Sequence, residues 1–173
     1  FPDQSIGRPI LGRRESVARL SRADIRRYLK RFYGANTLIV AGAGAIDHDA
    51  IVAQAARLFE KAPQARAPAP APARYVGGET IVRRRIEQSN IVVGFESFGH
   101  THARSYAAHA FANAVGEGMS SRLFQEVREK RGLAYSIYTF NWSFADTGLF
   151  GFSAAASPRD VPDLMKVALD CLS

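Results

Sequence analysis

The sequence has 173 residues, of which 47% are hydrophobic and 23% are charged, and this composition is typical of a globular chain with a packed core. A net charge of +7 suits nucleic-acid binding, but the arginines are scattered and are not interleaved with stacking aromatic residues, so we expect no nucleic-acid partner. No apolar run approaches the ~20 residues that span a bilayer, and we therefore expect no membrane segment.

The cysteine content bears on the cellular compartment. A single cysteine, Cys171, excludes an intrachain disulfide and indicates a reducing environment, so we expect a bacterial-type cytoplasmic protein. The apolar helical neighbours of Cys171 predict a buried or half-buried thiol without a reactive role. No signal-peptide pattern is visible, but the chain begins at Phe1 rather than Met, so this observation describes the present sequence only.

The first third of the chain has the pattern helix, strand, helix. Ser21 and Asp24 have the spacing of a capping box, apolar residues follow at helical spacing, and Gly34 is placed to end this helix. The short apolar run at residues 37–41 predicts a buried strand. Asp47 follows a Gly/Ala turn and is predicted to cap a second helix.

Residues 62–74 form a Pro/Ala-rich stretch. Repeated prolines remove backbone donors and favour an extended spacer over a packed element. We therefore predict a linker here, which divides the chain into residues 1–61 and residues 75–173.

Beyond the linker, the hydrophobic pattern predicts the order ββααββα. The predicted strands lie near residues 80–85, 90–96, 134–144 and 148–155, and the predicted helices lie at about 101–115, 121–130 and from Pro158 onward. Strands joined by tight turns favour antiparallel pairing. The predicted fold class is α+β, a two-layer sandwich with a mostly antiparallel sheet and helices on one face.

The histidines do not indicate a metal site. A zinc site needs three or four converging ligands, and neither H-E-x-x-H nor H-x-x-E-H occurs in the sequence. No serine lies in a nucleophile-elbow motif, and Cys171 has no histidine in a plausible arrangement nearby. We therefore predict no catalytic residue and no metal ligand in this chain. The histidines considered are His48, His100, His102 and His109.

A run at residues 116–138 stands out as a loop, a helix, a turn and a strand. Leu123, Phe124 and Val127 are predicted to form the buried face of the helix, and a glycine at residue 132 is placed to stop it. This packing does not account for Arg128 and Tyr135, which flank the helix end and the strand start. Both side chains are hydrogen-bond donors, and together they are suited to bind a peptide carbonyl.

The run 116–138, with the later residues 146–150, closely resembles the second homologous domain of the pitrilysin/insulinase-type zinc metallopeptidases, or inverzincins, which include the mitochondrial processing peptidase. Residues 7–12, 20–24 and 41–48 resemble the closing part of the first domain of that family. One departure is Glu117, at a position where family members often have a third glycine.

The resemblance implies a clamshell of two similar domains that closes around an unfolded peptide. It implies zinc in the parent protein, held by H-x-x-E-H and a further Glu that this sequence lacks. It also implies that Arg128 and Tyr135 bind the substrate. The chain is then a substrate-enclosing, non-metal-binding segment of a zinc-dependent endopeptidase, inactive alone. The alternative is a non-catalytic paralogue subunit that binds substrate or an active partner.

The implied partners are a peptide substrate and either the missing remainder of the first domain or a homologous subunit. The resemblance assigns residues 1–61 to the closing αβα part of the first domain and residues 75–173 to the opening part of the second. Two arrangements remain open: the first part packs back onto the second as a permuted domain, or two copies exchange these parts as a homodimer.

Overall fold

A computed structural model of the chain describes residues 1–66, 68–69 and 71–173. The chain divides into two units, one formed by Phe1–Gly7 with Pro72–Ser173 and the other by Arg8–Ala71. The boundary between residues 71 and 72 falls within the predicted Pro/Ala linker. The assignment of the two parts to two homologous domains stays a prediction.

The described residues of the unit Arg8–Ala71 form three α-helices, α1 (Arg14–Ala18), α2 (Arg22–Phe32) and α3 (His48–Phe59). The capping box at the start of α2 is confirmed, because Ser21 Oγ accepts a hydrogen bond from the Asp24 backbone N–H at 3.2 Å and the Asp24 carboxylate accepts from the Ser21 N–H at 3.0 Å. The predicted cap of α3 is confirmed too, since an Asp47 carboxylate oxygen lies 2.8 Å from the Ala50 nitrogen.

Two predicted strands are absent from the structure. Residues 37–41 form the end of a 3-10 turn (Ala35–Thr37) followed by irregular chain, and residues 80–85 are irregular. Their apolar side chains face solvent: Ile39 is 90% exposed, and Ile81 and Val82 are each 70% exposed. A strand requires a hydrogen-bonded neighbour, and the described residues place none beside either segment. The orders αβα and ββααββα are therefore wrong at these two positions.

The sheet of the other unit has three antiparallel strands, β1 (Ser89–Ser97), β2 (Ser136–Ser143) and β3 (Gly148–Ala156), in the order β1-β3-β2. In this register Phe152 of β3 lies opposite Val93 of β1 and Thr139 of β2. A hydrogen bond of 2.8 Å from the Phe144 nitrogen to the Thr147 carbonyl closes the tight turn between β2 and β3.

Helices cover one face of this sheet. They are α4 (Ser105–Gly116), a π-helical segment (Phe124–Glu129) and α5 (Val161–Leu172). A 3-10 turn at Pro158–Asp160 precedes α5, at the position where the sequence predicted the first turn of this α-helix. Alternate residues of the strands meet these helices, as expected for a sheet with one covered face. The predicted α+β class is confirmed. The core consists of Val115, Leu123, Val127, Ala134, Ile137, Phe152, Ala154, Ala156, Leu164, Ala168 and Cys171.

The end of α4 lies directly against β2. A Cβ added at Gly116 would lie 2.3 Å from Thr139 Cγ2, and the Thr139 hydroxyl donates to the Ala112 carbonyl at 2.7 Å. The loop after α4 accommodates a glutamate at residue 117, where family members often have a glycine. Glu117 has a φ of −102°, a value that any residue adopts. No helix in the described ranges is both long and apolar enough to cross a bilayer.

Candidate substrate-binding site

The candidate site is built on the π-helical segment Phe124–Glu129. Its widened turn includes a hydrogen bond of 3.0 Å from the Lys130 nitrogen to the Gln125 carbonyl, five residues back. Leu123 and Val127 are fully buried and fix the segment to the core, as predicted. Phe124, which we predicted to share this buried face, is only half-buried. The wider turn gives this segment a different periodicity from an α-helix, on which that prediction relied.

A glycine turn reverses the chain after this segment. Gly132 has a φ of +62°, a conformation that favours glycine. Its nitrogen donates to the Arg128 carbonyl at 3.0 Å, and the Leu133 nitrogen donates to the Val127 carbonyl at 2.9 Å. The bond from Gly132 is that of an αL cap, and with the bond from Leu133 it closes a wide chain reversal. It directs the chain toward β2 and brings Tyr135 back beside Arg128.

The structure places the two predicted substrate-binding side chains in contact. The Arg128 guanidinium carbon lies 4.8 Å from the centre of the Tyr135 ring and 4.7 Å from the centre of the Phe124 ring. These are cation–π contacts. The Arg128 side chain is 35% exposed and Tyr135 is 76% exposed, so both are accessible to a ligand. Their role in binding substrate stays a prediction.

Glu126 stabilises the end of the π-helical segment through contacts with two basic side chains. Its carboxylate accepts a hydrogen bond from Lys130 Nζ at 2.5 Å and pairs with the guanidinium of Arg131, which also donates to the Glu126 carbonyl at 2.9 Å. The hydrogen bond from Lys130, followed by that from Arg131, lowers the pKa of Glu126 to about 2. Glu126 is therefore ionised at neutral pH.

We expect Glu126→Gln to make the melting temperature of the protein less dependent on pH below about pH 4.5. The pKa of Glu126 is lower in the folded state than its ordinary value of 4.5, so its ion pairs contribute stability above pH 4.5 and lose it as the pH falls toward about 2. The difference in melting temperature between the native protein and the variant should shrink across that range. Glu129→Gln, which removes a more exposed carboxylate, is the matched control. A difference that stays constant from neutral pH to pH 2 would contradict this assignment.

A cavity of about 300 Å³ lies between the π-helical segment and α5. Cys171 is buried at this cavity, as predicted, and burial raises the pKa of its thiol. The thiol is therefore protonated at neutral pH and is a poor nucleophile. The cavity is lined by Arg122, Glu126, Arg131, Val167, Asp170 and Cys171.

The described residues do not fit a zinc ion. No group of three or more His, Cys, Asp or Glu side chains within residues 1–66, 68–69 and 71–173 could hold a metal. The histidines that lie close together in sequence have local contacts instead: His100 Nδ1 lies 2.9 Å from the Phe144 carbonyl, and the His102 ring stacks on Phe98 with centres 4.4 Å apart.

The described residues thus form an α+β domain with one helix-covered sheet face and an accessible arginine–aromatic contact, and they include no metal-binding group. The family model described as "Peptidase M16 inactive domain" matches residues 19–173, and the chain belongs to this family. The predicted resemblance to pitrilysin/insulinase-type zinc metallopeptidases is thereby confirmed.

Curated relatives of the chain are named zinc proteases. An "uncharacterized zinc protease" of Streptomyces coelicolor is 40% identical over 179 residues, covering 98% of this chain and 39% of the relative. Another, of Rickettsia felis, is 35% identical over 158 residues, covering 91% of this chain and 38% of the relative. The chain thus spans about two fifths of the length of these curated relatives.

Solved structures share the fold. A peptidase M16 inactive domain from Pseudomonas fluorescens matches with a TM-score of 0.74 at 20% identity, covering 92% of this chain and 40% of that one. A chain in the structure of complex III2 from Candida albicans matches with a TM-score of 0.86 at 26% identity, covering 99% of this chain and 43% of that one.

Proposed function

We propose that this chain is the substrate-enclosing, non-metal-binding part of a zinc-dependent endopeptidase. The relatives are named zinc proteases, and the chain spans only about two fifths of their length. The zinc ligands in this proposal belong to a homologous domain or subunit of the whole protein, and the described part of this chain supplies contacts to the peptide.

The contact between Arg128 and Tyr135 carries the proposal. A peptide presents carbonyl oxygens at regular intervals, and an accessible guanidinium beside a phenol offers donors to one of them. A charged donor forms a stronger hydrogen bond than a neutral one, and its positive charge favours any negative charge that develops on the carbonyl oxygen. Arg128 Nε lies 3.7 Å from Glu129 Oε1, too long for a hydrogen bond, so that contact does not occupy this donor.

The sheet face opposite the helices supports binding of an extended peptide, because it carries two exposed aromatic rings on β2 beside the buried Phe140. Strand alternation places Tyr138, Phe140 and Trp142 of β2 on the face opposite the helices. Tyr138 is 53% and Trp142 is 56% exposed, and the Trp142 ring packs on Phe140 with centres 4.6 Å apart. Exposed aromatic rings on one face provide apolar contact area for side chains of an unfolded substrate.

A second candidate is a non-catalytic subunit that binds substrate or an active homologous partner. The match to a chain of complex III2 favours it, because that chain has this fold in a multi-subunit assembly at a TM-score of 0.86. A homodimer in which two copies exchange their two parts is a separate alternative to a single chain that packs as a permuted domain. Size-exclusion chromatography with light scattering tests it, and a strictly monomeric particle would eliminate an exchange between two copies.

Zinc content of the full-length protein separates the two candidates. For the peptidase we expect about one zinc per chain, the number that one closed site holds, together with cleavage of an unfolded peptide. A protein that binds no zinc after careful loading but still binds the peptide would establish the non-catalytic subunit. A zinc-loaded protein that neither binds nor cleaves unfolded peptides would overturn both.

A further inference from the structure

We propose that Phe124 is a positioning residue that fixes the Arg128 guanidinium for its contact with the peptide, an inference that rests on the proposed function. The Arg128 guanidinium carbon lies over the rings of both Phe124, at 4.7 Å, and Tyr135, at 4.8 Å. Both distances are within the range of a cation–π contact.

The two rings differ in how much of each is exposed to solvent. Phe124 is half-buried in the π-helical segment next to Leu123, which is fully buried, whereas Tyr135 is 76% exposed. Phe124 precedes Arg128 by four residues, a spacing that puts both side chains on one side of a helix. Phe124 is therefore the more buried wall of the site, and Tyr135 is the wall that is more open to a ligand.

This arrangement orients the guanidinium before a peptide arrives. Cation–π contacts do not consume the N–H donors in hydrogen bonds, so the guanidinium keeps its donors while its position is restricted. A long, flexible side chain that is ordered in advance loses less conformational entropy on binding. Leucine at residue 124 would keep the apolar volume but would remove the ring.

The test compares Phe124→Leu with Phe124→Tyr in the full-length protein. The first readout is the Nε–H signal of Arg128 in protein with isotope-labelled arginine, assigned by its loss in Arg128→Lys. The second is the affinity of the metal-free protein for an unfolded peptide, measured by calorimetry. We expect Phe124→Leu to shift the signal and to weaken binding by about 2- to 10-fold, the range for the entropy cost of immobilising one flexible side chain on binding. Phe124→Tyr, which keeps the ring, should preserve both.

The outcomes distinguish the inference from the proposed function. If Phe124→Leu leaves the Arg128 signal in place, the ring does not hold the guanidinium and the inference is overturned. If the signal shifts and binding is unchanged while Arg128→Ala weakens binding, the inference is wrong and the proposed function stands. If Arg128→Ala itself leaves peptide binding unchanged, the proposed role of the site fails, and the positioning role fails with it.

Discussion

We expect Arg128→Ala to lower kcat/KM for peptide cleavage by the full-length protein about 100-fold, the effect of losing one donor to a carbonyl oxygen that gains negative charge. Zinc content should not change, because the described residues around Arg128 form no metal-binding group. Tyr135→Phe, which keeps the ring over the guanidinium and removes only the hydroxyl, should have a smaller effect. Steady-state kinetics and elemental analysis on the same preparations measure both quantities.

Arg122→Ala is the matched control for this prediction. Arg122 is also an exposed arginine and precedes the same π-helical segment, but it lines the cavity beside Cys171. Its replacement changes the net charge by the same amount and should leave kcat/KM within about 2-fold, as for most surface substitutions away from a site. Equal losses in the two variants would show that the effect follows from net charge rather than from the site.

The second large effect concerns the core. We expect Phe152→Ala to lower the free energy of unfolding by about 3–5 kcal/mol, the range for removal of a buried aromatic side chain. Phe152 is fully buried at the centre of β3, the middle strand of the sheet. Its removal leaves a cavity between two neighbouring strands and the helices that cover them.

Phe95→Ala is the control for this substitution. Phe95 lies on the edge strand β1, is 37% exposed and stacks on Phe150 with ring centres 6.2 Å apart. Its loss should therefore cost less than that of Phe152. Denaturant unfolding of the variants gives both free energies, and a loss below about 1 kcal/mol for Phe152→Ala would contradict the position of the core.

Helix starts were predictable because their signals are local. Ser21 and Asp24 hydrogen-bond to each other across three residues, and Asp47 caps α3 in the same way. Neither depends on any distant part of the chain. The same is true of the reversal at Gly132, which the sequence indicated by a glycine after an apolar helical pattern.

The predictions of strands at residues 37–41 and 80–85 were wrong because strand formation depends on distant parts of the chain. An apolar, β-branched run indicates that a segment favours burial, but a strand forms only beside another strand. The described residues place no strand beside either run. Buried residues in the described chain all lie between Ser105 and Cys171, and the apolar side chains at residues 37–41 and 80–85 are not among those that pack against this core.

The site was predictable in part. The spacing of Arg128 and Tyr135 about a glycine turn indicated that they approach each other, and the structure shows the contact. The contact of Phe124 with Arg128 was missed because an α-helical periodicity assigns Phe124 to the buried face. A change from hydrogen bonds between residues four apart to hydrogen bonds between residues five apart cannot be inferred from the spacing of apolar residues. It is visible only in the three-dimensional structure.

The π-helical segment restricts how this region tolerates insertion and deletion. A wide turn contains one residue more than the α-helical turn it replaces, and each residue of an α-helix turns the chain by roughly 100°. Loss of a single residue between Phe124 and Arg128 would change the four-residue spacing that places the Arg128 guanidinium over the Phe124 ring. Related chains of different length should therefore place their gaps in the loop after α4 or beyond Tyr135, and keep the count of residues between these two rings constant.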